Sequence, residues 1–250
     1  MINFCNRPII VVPLVLLFNT AAIMWPGFLI HLQQNKPLLS GVWWLAIYLL
    51  LSELWQIMSR QMYAKRRQFT WIVYGVKFAL SLVLIFIIAC QSRWTVGLLL
   101  FLYELYQALL YRNDFNYIET LYYPLLSGFF KGFIINMILA IGYPFALTWT
   151  NIQPFIMPVF IFVIAAIFYQ IICTRKRKST HYMTLAGAFA LAFIYLIVTS
   201  FQKPWNLLKL VLFILLTALV LFGFKQSKHK IIEQELYIAL YTFIGVLVCY

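Results

Sequence analysis

The chain has 250 residues, 64% of them hydrophobic and 10% charged, with a mean hydropathy of +0.91 and a formal net charge of +13. A water-soluble domain is nearer half apolar and a quarter charged, and a core built from 250 residues cannot hide the excess, so the composition excludes a soluble protein. The basic charge is not a nucleic-acid footprint, because no RNA-binding signature and no extended basic helix accompany it. A polytopic all-α membrane protein is the class that fits, with the bilayer itself as first partner and anionic headgroups facing the basic loops.

Nine apolar runs approach the length of about 20 residues that a helical crossing needs. They fall near 9–30, 38–58, 69–90, 94–111, 121–147, 155–173, 182–201, 205–224 and 232–250. The first follows only Arg7 and has no small-x-small cleavage site, so it reads as a span rather than a signal peptide. The fifth is long and interrupted by Pro124, Lys131 and Pro144, which predicts that part of it lies along the interface. The ninth opens on Glu233 and Glu235 and is the weakest crossing. Between the runs, Gln33–Pro37 and Gln202–Trp205 carry turn chemistry. Trp25, Trp43, Trp44, Trp71, Trp94, Trp149 and Trp205 lie near run ends, as interfacial anchors do.

Basic clusters occupy every second break. With the N-terminus in the cytoplasm, 13 cations fall on the inner side: Arg7, Arg60, Lys65–Arg67, Arg112, Arg175–Lys178, Lys225, Lys228 and Lys230. Only Lys36, Arg93 and Lys203 fall outside, and such a bias predicts a cytoplasmic N-terminus. The loops are short, so the chain reads as a single membrane domain in the cytoplasmic membrane of a bacterium.

Charges inside the runs are costly in lipid and come next. Glu53 and Lys77 each stand 12 residues from Lys65, so a hairpin of spans two and three would bring them to one depth and pair them. Glu104 and Lys131 are related in the same way around 112–120. Such pairs either neutralise each other or snorkel to the interface. The sharper alternative is a polar substrate path lined by Glu104, Gln107, Lys131 and Asn136.

The inner stretch 111–120 is the one inner loop that mixes acids with a base: Arg112, Asn113, Asp114 and Glu119. Arg112, Asp114, Phe115, Tyr117 and Ile118, followed by Pro124, Ser127 and Lys131, resemble the cytoplasmic segment of the permease subunits of ABC exporters. That resemblance covers about 25 residues and implies an inner-face helix docking on a separate soluble ATPase subunit. The usual permease of that kind has six spans. The same stretch, with Asn113, Asp114, Pro124, Ser127 and Gly128, is also similar to the UbiA-type polyprenyltransferases, a family with nine helices. Those enzymes hold magnesium on two aspartate-rich loops, whereas Tyr117 and Leu121 stand at two of the expected aspartates and 174–181 has no acid.

No cofactor or metal motif appears. Cys5, Cys90, Cys173 and Cys249 form no CxxC pair, and Cys90 and Cys249 read as two apolar buried thiols in preference to an outer-face disulfide. His31, His181 and His229 fall in loops. A Walker A motif and the hydrolase triads are absent. The expected function is therefore a membrane permease subunit exporting a hydrophobic or amphipathic substrate, peptide or lipid, with a separate ATPase. The alternatives are a membrane-embedded transferase acting on a polyprenyl or lipid phosphate and a non-catalytic immunity or assembly factor.

Overall fold

A computed structural model describes residues 7–33, 41–64, 69–110, 117–140, 149–174, 179–201, 205–226 and 231–250. Among them there are nine long helices and no strand: α1 (Arg7–Gln33), α2 (Val42–Ala64), α3 (Trp71–Gln91), α4 (Trp94–Leu110), α5 (Tyr122–Ala140), α6 (Trp149–Cys173), α7 (Ser179–Ser200), α8 (Trp205–Gln226) and α9 (Ile231–Cys249). A single 3-10 turn, Tyr117–Glu119, precedes α5. All but α4 are long and apolar enough to cross a membrane. At 17 residues α4 spans about 25 Å.

Contacts between helix ends show that direction alternates throughout. Ala89 at the end of α3 meets Gly97 at the start of α4. The Tyr106 hydroxyl, late in α4, donates to Tyr123 O, early in α5. Gly128 and Gly132 of α5 meet Val163 and Val159 of α6 in antiparallel order. Lys209, early in α8, reaches the carbonyl of Cys249 at the end of α9. The helix ends that flank 65–68, 111–116, 175–178 and 227–230 therefore lie together at one end of the bundle. Nine alternating helices put residues 7 and 250 at opposite ends. Reporter fusions at the two termini should signal from opposite compartments; two signals from one side would contradict the alternation of the nine described helices.

The centre of the bundle is α1, α5, α6 and α9, with α2 packed on α1 and α6. The α3–α4 hairpin joins through α3 to α2, and the α7–α8 hairpin covers α6 and α9. The outer helices expose large apolar side chains in rows: Ile72, Val76, Leu80, Val83 and Phe86 on α3, and Leu208, Leu212, Leu215, Leu219 and Phe222 on α8. Apolar surfaces this large are covered by lipid or protein, and on helices of membrane-spanning length and hydropathy they face lipid. The chain is an integral membrane protein.

Lipid gives no hydrophobic drive for helix association, so small residues and polar bonds decide which helices touch. Gly128 and Gly132, a small-xxx-small pair, let α5 lie directly on the backbone of α6 around Pro158 and Val159. Gly27 does the same for α1 against Asn136 and Leu139 of α5.

Four expectations change. The fifth run is, over Tyr122–Ala140, a helix buried at the centre and not an interfacial one, because its two glycines admit α6; its remainder, 141–147, lies outside the described residues. The ninth run is a central helix, because Glu235 is paired inside the protein. His31 and His181 are buried in the last turn of α1 and the first turn of α7, not in loops, and His229 lies outside the described residues. Cys90 is exposed and Cys249 partly so, both as free thiols, while Cys173 is buried. Trp43, Trp71, Trp94 and Trp149 are exposed at helix ends.

A buried charged core as candidate functional site

Among the described residues three ion pairs lie buried inside the bundle, and helix α2 organises them. Tyr48, Ser52, Glu53, Gln56, Ser59 and Arg60 recur at three- and four-residue spacing, so they share one face of the helix. All six are buried. From Tyr48 to Arg60 this stripe runs about 18 Å along the helix axis.

The first cluster joins α2, α3 and α4. The Lys77 ammonium donates to Glu104 Oε1 and, at 3.3 Å, to Gln107 Oε1. The Tyr48 hydroxyl donates to Glu104 Oε2 at 3.3 Å. Gln107 Nε2 donates to Ser52 Oγ at 2.5 Å, returning the chain of bonds to α2. Lys77 also lies 5.8 Å from the ring centroid of Trp55, within cation–π range.

The second cluster joins α2, α4 and α5. Lys131 Nζ is 2.5 Å from Glu53 Oε1 and donates to Gln56 Oε1 at 2.9 Å. Gln56 Nε2 donates to the Tyr103 hydroxyl at 3.1 Å. Lys131 reaches this position from a π-helical turn, Gly128–Ile134. A widened turn displaces carbonyls from the α-helical ladder, and the Asn136 amide meets two of them, Lys131 O at 2.8 Å and Gly132 O at 3.2 Å. Asn136 Oδ1 accepts from the Gly27 N–H at 2.8 Å, which ties this turn to α1.

The third cluster lies at the end flanked by the basic segments. Arg60 Nε donates to Glu235 Oε1 at 3.0 Å, joining α2 to α9. The Arg60 guanidinium stacks 3.9 Å above the Tyr169 ring of α6, and the Tyr169 hydroxyl accepts from Asn19 of α1 at 3.3 Å.

Both expected hairpin pairs are exchanged. Glu53 pairs with Lys131 and Glu104 with Lys77, so the first pair bridges α2 to α5 and the second closes the α3–α4 hairpin. Similar depth was a sound expectation, but it leaves partner choice open, and the π turn aims Lys131 at α2. Neither lysine snorkels, since Lys77 and Lys131 are 7% and 5% exposed. Arg60 is a correction too: at 1% exposure it is a buried partner of Glu235, not a loop cation with Lys65–Arg67. Of the four expected path residues, Glu104 and Gln107 share Lys77, and Lys131 belongs to the neighbouring cluster. Asn136 is committed to backbone groups. Arg112, Asn113 and Asp114 lie outside the described residues. Glu119 sits in the 3-10 turn beside Tyr63 of α2, and the following residue, Thr120, accepts through its carbonyl from Gln170 of α6 at 3.2 Å.

Sequence reasoning missed Arg60, Glu235, Ser52, Gln56 and Tyr48 as core residues. The polar periodicity of α2 was the signal that could have found them. No group of three or more His, Cys, Asp or Glu side chains fit to hold a metal ion occurs among the described residues.

These observations define an integral membrane protein whose described residues form nine long helices around a buried, charge-balanced core. Compared with known proteins, the chain matches no family model, no curated protein and no solved structure.

Proposed function

We propose that the chain is a permease of a bacterial cytoplasmic membrane, N-terminus inside, that exports a hydrophobic or amphipathic substrate such as a peptide or lipid. The observation that supports this reading best is the pair of lysine–glutamate bridges between α2, α3, α4 and α5. Ionisable groups in a membrane interior are expensive and mark paths of transported species. A replacement by apolar side chains would often be as stable or more so, which leaves packing alone a weak reason for these charges. The seam between α2 and α4 also suits a path, because long polar side chains bridge it: Tyr48, Ser52 and Gln56 from one helix, Tyr103, Glu104 and Gln107 from the other.

The energy source in this reading is a separate soluble ATPase docked where α4 leads into α5. Leu121, Tyr122 and Leu125 are exposed there, next to Glu119. Purification of the native complex in mild detergent should retain a nucleotide-binding subunit, and the reconstituted complex should export substrate on ATP addition. Absence of that subunit together with no ATP-linked export would contradict the proposal.

A second reading, a membrane transferase of the polyprenyl or lipid-phosphate type, is favoured by the nine helices among the described residues. It predicts bound isoprenoid in the purified protein and a divalent-metal requirement. It also predicts loss of activity on changing Asn113, Asp114 or Glu119.

A further inference from the structure

Three of the central helices, α1, α5 and α6, are interrupted at one level of the bundle. Helix α1 contains Pro26, α5 the π turn Gly128–Ile134, and α6 Pro158. The interruptions touch one another. The Gly27 N–H donates to Asn136 Oδ1, and the Asn136 amide donates to Lys131 O and Gly132 O of the π turn. Gly132 in turn lies on the backbone of α6, where a Cβ would come within 2.8 Å of Pro158 C. Proline removes an i→i−4 bond and a π turn displaces carbonyls, so each is a place where a helix bends.

Beyond this level, towards the end opposite the basic segments, the far ends of the same three helices pack together. A Cβ at Gly27 of α1 would come within 2.6 Å of Leu139 Cβ of α5. The Phe133 ring of α5 meets Phe155 of α6 edge-on, with centroids 5.8 Å apart. The far arm of α6, 149–157, is about 13 Å long. Two tyrosine hydroxyls tie it to helices outside this unit. Pro158 has no N–H for Pro154 O, and the Tyr250 hydroxyl, just beyond α9, donates to that carbonyl instead. The neighbouring carbonyl, Gln153 O, accepts from the Tyr195 hydroxyl of α7 at 3.2 Å.

We infer that this level is a hinge, about which the far ends of α1, α5 and α6 tilt as one body, and that the Tyr195 and Tyr250 hydroxyls latch that body against α7 and α9. Bending at Pro158 sacrifices no backbone bond at that residue, because proline never forms one. The tilt breaks the two tyrosine bonds, whose donors belong to helices that stay, and a neutral hydrogen bond is weak enough in net terms to be reversible. Lys131 lies in the π turn, so the same tilt moves one side of the Glu53–Lys131 pair. The hinge goes beyond the permease reading, since it belongs to the fold whatever the chain carries.

Distances between spin labels, measured by double electron–electron resonance on the full chain in lipid nanodiscs, test it. With the native cysteines replaced by alanine, labels go at Trp149→Cys on the far arm of α6 and at Leu98→Cys near the same end of α4, both exposed positions. A reference pair joins Leu98→Cys to Leu208→Cys, exposed near that end of α8. The expected result is a second component in the first distance, raised about 2- to 10-fold by Tyr250→Phe, as loss of one net hydrogen bond does. Pro158→Ala, whose N–H can close the helix onto Pro154 O, should abolish that component. Tyr195→Phe should act in the same direction as Tyr250→Phe, so the hinge stays readable if one variant fails to fold. The reference distance should keep a single component throughout. One unchanged component in wild type and in both phenylalanine variants, a second component that persists in Pro158→Ala, or one that appears equally in the reference pair would each overturn the hinge. Failure of ATP-linked export in the native complex bears only on the permease reading.

Discussion

Replacing Lys131 by methionine lowers the stability of the folded protein by about 3–5 kcal/mol, the cost of leaving a buried charge without its partner. Methionine keeps the apolar stem, so the loss reports the charge and not a cavity. Glu53 is then stranded, because apart from the Lys131 ammonium no hydrogen-bond donor meets either of its oxygens. The double variant Glu53→Gln/Lys131→Met should recover most of the loss, since removing both members of a buried pair is often near neutral. Lys77→Met should cost less than Lys131→Met, because the Tyr48 hydroxyl continues to donate to Glu104. Unfolding in detergent at fixed protein and detergent concentration measures all three. Equal losses for the two lysines would contradict the account of how the acids are held.

Gly132→Val disrupts the fold by another route. A Cβ at position 132 would come within 2.6 Å of both N and Cα of Val159, and backbone cannot rotate aside. Overpacking of this kind costs about 1–3 kcal/mol or more, and here it also forces α5 away from α6, in the turn that carries Lys131. Gly128→Ala should be milder, since its nearest neighbour is a side-chain methyl that can turn, Val163 Cγ2 at 2.5 Å, and it meets one backbone atom within 3 Å, Val159 O at 2.9 Å, where position 132 meets three. Gly75→Ala and Gly187→Ala are the controls. Nothing lies within 4 Å of a Cβ at either position, and alanine is favoured over glycine in a helix by about 1 kcal/mol. A Gly132→Val protein as stable as Gly75→Ala would exclude the close α5–α6 contact.

The helices were legible in the sequence because lipid imposes a length and a hydropathy on every crossing. The basic clusters marked alternate breaks, and the helix ends flanking them do gather at one end of the bundle. Partner choice inside the membrane was much less legible. Hairpin geometry suggested Glu53 with Lys77, but which helices become neighbours depends on glycines such as Gly128 and Gly132, and the π turn then redirects Lys131. Arg60 was misread because it precedes Lys65–Arg67 and looks like part of a loop cluster. Its register with Ser52, Glu53 and Gln56 on one face of α2 is what places it inside. Glu235 was misread for the complementary reason, since an acid near a helix start resembles a boundary until its partner on α2 is known.

The central claim is that charges from four helices meet in a specific pairing, Glu53 with Lys131 and Glu104 with Lys77. A double-mutant cycle on unfolding stability tests it most directly, with Glu53→Gln combined in turn with Lys131→Met and with Lys77→Met. Groups in contact couple by about 0.5–3 kcal/mol, while groups without shared partners add within about 0.5 kcal/mol. The structure predicts strong coupling between Glu53 and Lys131 and additivity between Glu53 and Lys77. Coupling of Glu53 to Lys77 with none to Lys131 would restore the hairpin pairing and contradict the core described above.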